Sequence, residues 1–135
     1  GLDVTLQTVL RDQDLAIIRD TAGQAGQFLW DTSRFYIDFY ASRLARLGST
    51  DRSCAMHDAS ALVYTVLPEA FQVVSGPTRV ITDGIAAGQL SVDTQQEPYV
   101  IPAWSDRPHT SAAIGVAAPR VLDTFLSTIT NHSFD

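Results

Sequence analysis

The chain has 135 residues, and its 15 acidic against 9 basic side chains give a formal net charge of −6. Apolar residues at 45% and charged ones at 18% place it far from the composition of disordered chains, so a single domain over residues 1–135 with its own core is expected. One cysteine, Cys54, closes no internal disulfide, no apolar run approaches the roughly 18 residues that span a bilayer, and no secretory signal pattern is visible, so a cytoplasmic location is expected. Every basic residue is an arginine, scattered without a block or stripe, which argues against duplex nucleic acid as a partner.

In chain order, Leu2-Asp3-Val4-Thr5 reads as the end of a β-branched strand, one that would offer an exposed edge. Over residues 11–23, Leu15, Ile18 and Ala22 fall at helical spacing, with Asp12 and Asp14 in the first turn and Gly23 at the stop. Residues 26–47 form the strongest helical pattern, with Leu29, Phe35, Tyr36, Phe39, Tyr40, Leu44 and Leu47 at three- and four-residue intervals. Residues 49–56 read as a polar loop that leads to His57-Asp58. Asp58 suits an N-cap for a third helix over residues 59–67, which Pro68 stops.

Beyond Pro68 the period changes. Residues 71–74, 79–82 and 90–93 are short β-rich runs separated by Gly76-Pro77, Asp83-Gly84 and Gly88. Residues 99–104 and 112–117 are further strand candidates, and Pro119 opens a last amphipathic helix with Val121, Leu122, Phe125, Leu126 and Ile129. The fold class is therefore α/β, with helices followed by short mixed strands and a C-terminal helix.

Of the three histidines, His57 alone sits beside an acidic residue at an element boundary. An imidazole that exchanges protons near neutrality, next to a carboxylate kept ionised at a helix start, suits acid–base chemistry, although a His-Asp dipeptide before a helix is also a common structural feature. Tyr36 and Tyr40 belong to an apolar stripe and read first as core. Cys54-x-x-His57 has too few ligands for a zinc site and no third group to orient a dyad. There is no G-x-S-x-G elbow, and residues 84–88 lack the Lys-Ser/Thr ending of a phosphate loop. His109 and His132 read as exposed.

Taken together, Leu2-Asp3-Val4-Thr5, Phe39-Tyr40, Met56-His57-Asp58 followed by Ala61-Leu62-Val63, and Gly88-Gln89-Leu90-Ser91-Val92-Asp93 resemble the inosine-uridine preferring nucleoside hydrolases. Their order and spacing fit the C-terminal part of those enzymes, which are more than twice as long. The family's aspartate cluster of the form D-T-D-x-G-x-D-D is absent, so the resemblance implies a fragment corresponding to the C-terminal half and inactive alone. It implies calcium-dependent hydrolysis of the N-glycosidic bond of ribonucleosides to ribose and free base, with His57 as leaving-group acid and Asp58 as one Ca²⁺ ligand. Tyr40, Arg43 and Leu47 become candidate contacts to the substrate base, in a register about one residue longer than the family's. Self-association, or association with the missing N-terminal part, is expected. The alternative is a non-catalytic α/β binding or assembly module that kept the scaffold and lost the aspartates.

Overall fold

The computed structural model describes residues 1–95, Trp104 and residues 107–131. His132 and, apart from Trp104, the strand expected over residues 99–104 lie outside them. The elements in order are α1 (Leu2–Thr5), β1 (Val9–Arg11), α2 (Asp12–Thr21), α3 (Gly23–Ala45), β2 (Ser53–Ala55), α4 (His57–Val66), a 3₁₀ turn (Pro68–Ala70), β3 (Phe71–Val80), β4 (Leu90–Val92), β5 (His109–Val116) and α5 (Ala118–Thr130). The α/β reading holds, and so do the helices expected around residues 11–23, 26–47, 59–67 and after Pro119.

The first core forms around a short antiparallel ribbon. β1 pairs with β2 in the register Val9–Ala55, Leu10–Cys54 and Arg11–Ser53. Leu10, Cys54 and Met56 from the ribbon bury with Leu15, Ile18 and Ala22 of α2 and its end and with Ile37 of α3. From α5, Leu122, Phe125, Leu126 and Ile129 pack against them, which is the stripe read from the sequence. A second, smaller cluster of Val63, Ala70 and Val121 joins α4, the 3₁₀ turn and α5.

α2 passes into α3 without a loop. Gly23, at φ +55°, turns the chain, and Gly26, buried, brings the α3 backbone against α2 so closely that a Cβ there would overlap the Ile18 carbonyl. Ion pairs brace the same corner: Asp12 meets Arg34 at 2.7 Å and Arg52 at 2.6 Å, and Arg52 also reaches Asp38 at 2.6 Å. Burial works against the Asp12 charge, but hydrogen bonds from Arg52 and Arg34 and their positive charge outweigh it, so the carboxyl lies below its ordinary value of 3.8.

Three expectations are corrected. Residues 2–5 form a helical turn instead of a strand edge: the Val4 and Thr5 amides donate to the Gly1 carbonyl at 3.2 Å and Leu6 to Leu2 at 2.9 Å, while Val4 is buried. One anchoring residue per turn satisfies this segment, and the alternation a strand needs is absent. Residues 53–55 are a wholly buried strand and no polar loop, because Ser53 and Cys54 are small enough to enter the core as part of the ribbon. Finally, Gly76-Pro77 does not break the strand. β3 runs through it as the middle strand of a β4-β3-β5 antiparallel sheet.

Pro77 marks where β3 changes partner. Residues 71–77 pair with β5, with a register shift between Gln72 and Val73, and residues 78–80 pair with β4. Proline has no N–H to donate, and here only its carbonyl is used, accepting from the Asp93 amide at 2.9 Å.

Alanine in place of glycine inside a helix ordinarily stabilises by about 0.5–1 kcal/mol. At Gly26 the overlap with the α2 backbone reverses the sign, and Gly26→Ala is expected to cost about 1–3 kcal/mol, read as a lower denaturation midpoint. Because Asp12 has a lower value folded than unfolded, its ion pairs stabilise fully above about pH 4 and cease to do so as the pH falls below 3.8 through the lowered value. The melting-temperature gap between the wild type and Asp12→Asn is therefore expected to hold near neutrality and close on acidification; a gap independent of pH would remove the carboxylate as its cause.

Candidate active site

The ribbon sets the site. After the buried β2, the chain continues to Met56, itself buried, whose amide donates to the Thr8 carbonyl at 2.9 Å. Helical geometry begins at His57. Asp58 is thus not the N-cap expected from the sequence. Met56 takes that position, without a side-chain hydrogen bond, because the pairing with Thr8 ends at Met56 and the helix starts there, two residues before Asp58. Asp58 lies in the first turn and is exposed, where its charge complements the helix dipole.

His57 is half-buried and engaged on both nitrogens. Its Nδ1 lies 2.6 Å from Thr5 Oγ1, and its Nε2 lies 3.0 Å from the Tyr40 hydroxyl. The Tyr36 hydroxyl follows, 3.4 Å from that of Tyr40. One helical turn apart on α3, the two tyrosines meet edge to face with ring centres at 5.0 Å, and Phe39 meets Tyr40 at 5.6 Å. The hydrogen bond to Tyr40 comes first and burial second in pushing the Tyr36 phenol up to about 12. It therefore stays protonated throughout the neutral range.

Tyr36, Ser33, Cys54, His57, Asp58 and Phe125 contribute to the walls of a cleft of about 310 Å³, near the lower bound for small-molecule sites. Cys54 is a buried strand residue and not a loop cysteine. Burial pushes its thiol up to about 11, so it presents no thiolate and Cys54-x-x-His57 forms no nucleophilic dyad.

The sequence-derived candidates divide. Tyr40 and His57 are brought together, with Asp58 adjacent. Arg43 lies about one turn further along α3, exposed, with its guanidinium 5.3 Å from the centre of the Phe39 ring. Leu47 sits past the end of α3 and is 84% exposed. None of Tyr40, Arg43 and Leu47 is among the residues that wall the cleft beside His57; Tyr40 reaches the site through its bond to the histidine. His109 begins β5 and is exposed, as expected. Both tyrosines pack against the first core as expected of a stripe, but their hydroxyls serve the histidine. Thr5 went unrecognised: its only signal was membership of Leu-Asp-Val-Thr, and the strand reading gave its hydroxyl nowhere to go.

For a metal, the chain offers Asp58. Among the described residues no three His, Cys, Asp or Glu side chains come together as a metal site, and a calcium ion takes about six to eight oxygens. The described residues do not make such a cage by themselves. Among them, no helix is long and apolar enough to cross a membrane.

The profile of a family described as inosine-uridine preferring nucleoside hydrolase matches residues 1–123. Probable uridine nucleosidases 1 and 2 of Oryza sativa subsp. japonica are 32% and 33% identical over 123 and 127 residues, in each case 90% of this chain. The chain spans only 36% and 35% of the length of those relatives. Among solved structures, a plant nucleoside hydrolase superposes with a TM-score of 0.82 at 22% identity, covering 98% of this chain and 40% of its own, which bears on the fold. A purine-preferring ribonucleoside hydrolase from Gardnerella vaginalis superposes with a TM-score of 0.74 at 30% identity, covering 97% of this chain and 38% of its own. With the motif pieces in order and the fold alike, the chain belongs to the inosine-uridine preferring nucleoside hydrolase family, whose C-terminal portion it matches.

Proposed function

We propose that the protein hydrolyses the N-glycosidic bond of ribonucleosides of the inosine and uridine type, and that this chain supplies the leaving-group acid, His57. The observation that supports the role is the engagement of both imidazole nitrogens, one by Tyr40 and one by Thr5, at the mouth of a cleft. A base leaves more readily once protonated, and a positioned acid contributes about 10²–10⁴ in rate. As the C1′–N bond breaks, its electron pair goes to the base and the base receives the Nε2 proton of His57 in its imidazolium form, on the side where Tyr40 is the partner; the histidine is left neutral with hydrogen on Nδ1. Water adds to the oxocarbenium-like sugar to give ribose. The group that activates this water lies outside the described residues.

Asp58 is proposed as one ligand of a calcium ion whose other oxygens come from beyond the described residues; when bound, a hard cation of this kind holds water and ribose hydroxyls. Its support is position: an exposed carboxylate next to the acid on the rim of the same cleft. Tyr40, bonded to His57, is the favoured contact to the base, with Arg43 about one turn further along α3 and Leu47 beyond its end. Phe28 and Phe35, 65% and 79% exposed on α3, support association of that face with further protein surface, whether a second copy or another part of the protein.

In the native full chain, His57→Ala is expected to lower kcat on inosine by about 10²–10⁴-fold and to change the rate on a riboside with an activated leaving group far less. Equal losses on both substrates would sink the acid role. Calorimetric titration of Asp58→Ala with calcium is expected to show a large loss of affinity, and an unchanged affinity would remove Asp58 from the ligand set.

A further inference from the structure

The contacts around His57 form a line: Tyr36 hydroxyl, Tyr40 hydroxyl, His57 Nε2, His57 Nδ1, Thr5 Oγ1 and the Gly1 carbonyl, to which Thr5 Oγ1 also reaches at 3.3 Å. A neutral imidazole has one N–H, and each hydroxyl has one hydrogen. For the neutral ring the comparison is therefore between its two tautomers.

In the first direction every proton points toward Gly1. Tyr36 donates to Tyr40, Tyr40 to Nε2, Nδ1–H to Thr5, and Thr5 to the Gly1 carbonyl, which can only accept. All four contacts are made. In the reverse direction Thr5 spends its hydrogen on Nδ1, and its contact to the Gly1 carbonyl is lost because neither oxygen then has a hydrogen to give. Three contacts remain. The two central distances, 2.6 and 3.0 Å, are the short ones, so the imidazole is the best-held member of the line and its tautomer follows the side with more bonds.

We infer that Thr5 is a positioning residue: by passing its own hydrogen to the Gly1 carbonyl it holds neutral His57 with the proton on Nδ1 and the lone pair of Nε2 facing Tyr40. The catalytic meaning of this rests on the leaving-group role proposed for His57, whereas the tautomer itself does not. Free histidine prefers the other tautomer, with hydrogen on Nε2, so the lock works against an intrinsic bias and has a visible signature. It also directs exchange of the catalytic proton to Nε2, the nitrogen on the Tyr40 side. The arrangement uses the helical turn of α1, which places the Thr5 hydroxyl within reach of both Gly1 and His57.

The test is long-range ¹H–¹⁵N NMR of the imidazole in the native full chain, at a pH about two units above the ordinary imidazole value near 6.5. In the wild type Nδ1 is expected to read as protonated and Nε2 as unprotonated. Thr5→Val, which keeps the shape and removes the hydroxyl, is expected to reverse that pattern, and Thr5→Ser to restore it. A wild type with hydrogen on Nε2, or a Thr5→Val spectrum unchanged from wild type, overturns the inference.

Kinetics separate this from the acid role. In serine hydrolases, loss of the correct tautomer costs about 10⁴ in kcat where the partner is a carboxylate. A neutral hydroxyl partner is expected to give a smaller effect, about ten- to hundredfold on inosine, little on the activated riboside, and recovery in Thr5→Ser. If His57→Ala leaves inosine hydrolysis intact while the tautomer reverses in Thr5→Val, the lock stands and the acid role falls. If the tautomer reverses with no kinetic effect although His57→Ala is impaired, Thr5 is not a positioning residue for the reaction.

Discussion

The pairing of β1 with β2, two three-residue strands packed against α2, α3 and α5, is the constraint on which the rest depends. Strands this short hold only because other elements cover them, and α2, α3 and α5 do so with Leu15, Ile18, Ile37, Phe125 and their neighbours. The continuation of the pairing from Ala55 to Met56 and Thr8 then decides where α4 starts. His57 is thereby the first helical residue. A shift of one residue in the register would turn the Leu10 and Cys54 faces outward and take the imidazole off the tyrosines.

The second organising feature is the reach of α3. Its 23 residues would span roughly 35 Å at 1.5 Å per residue. The N-terminal part is fastened to α2 through Gly26 and the Asp12–Arg34 pair, and the middle part presents Tyr36 and Tyr40 to His57. Arg34 lies between these regions with its guanidinium 3.8 Å over the Trp30 ring. The aromatic side of the site is thus held by the same helix that anchors the core, so the tyrosine hydroxyls have a rigid support.

Much of this was legible from residues alone. The helices announced themselves because Leu15, Ile18 and Ala22, and later Val121, Leu122 and Phe125, repeat at the period of a buried helical face. The His57-Asp58 pair stood out as a titratable group at an element boundary. What escaped was structure that depends on distant partners. Ser53-Cys54-Ala55 has no strand signal of its own and is a strand only because Val9-Leu10-Arg11, some forty residues earlier, lies beside it. Thr5 and His57 are 52 residues apart, and no local pattern joins them. Gly76-Pro77 was misread because its usual meaning, a break, assumes one partner strand throughout; where the partner changes, a missing N–H does no harm. Arg43 and Leu47 shared the stripe of Tyr40 on paper, but the helix carries Arg43 away from the cleft and ends before Leu47.

The change of partner at Pro77 has a consequence for how the sheet holds together. β3 shares seven paired positions with β5, up to and including the proline, and three with β4 beyond it. Beyond the shorter ladder the chain makes a turn with Gly84 and Gly88 at positive φ, and Val80 and Leu90 there are 58% and 44% exposed. Among the described residues a three-pair ladder and partly exposed apolar side chains hold that tip, so it is expected to open at a lower free energy than the longer ladder. Its amides would exchange with solvent through local openings, while those of residues 71–76 would need the longer ladder to open. The molecule therefore carries a loosely held hairpin at one end of its larger sheet and a separate two-stranded ribbon whose release requires the core itself to unfold.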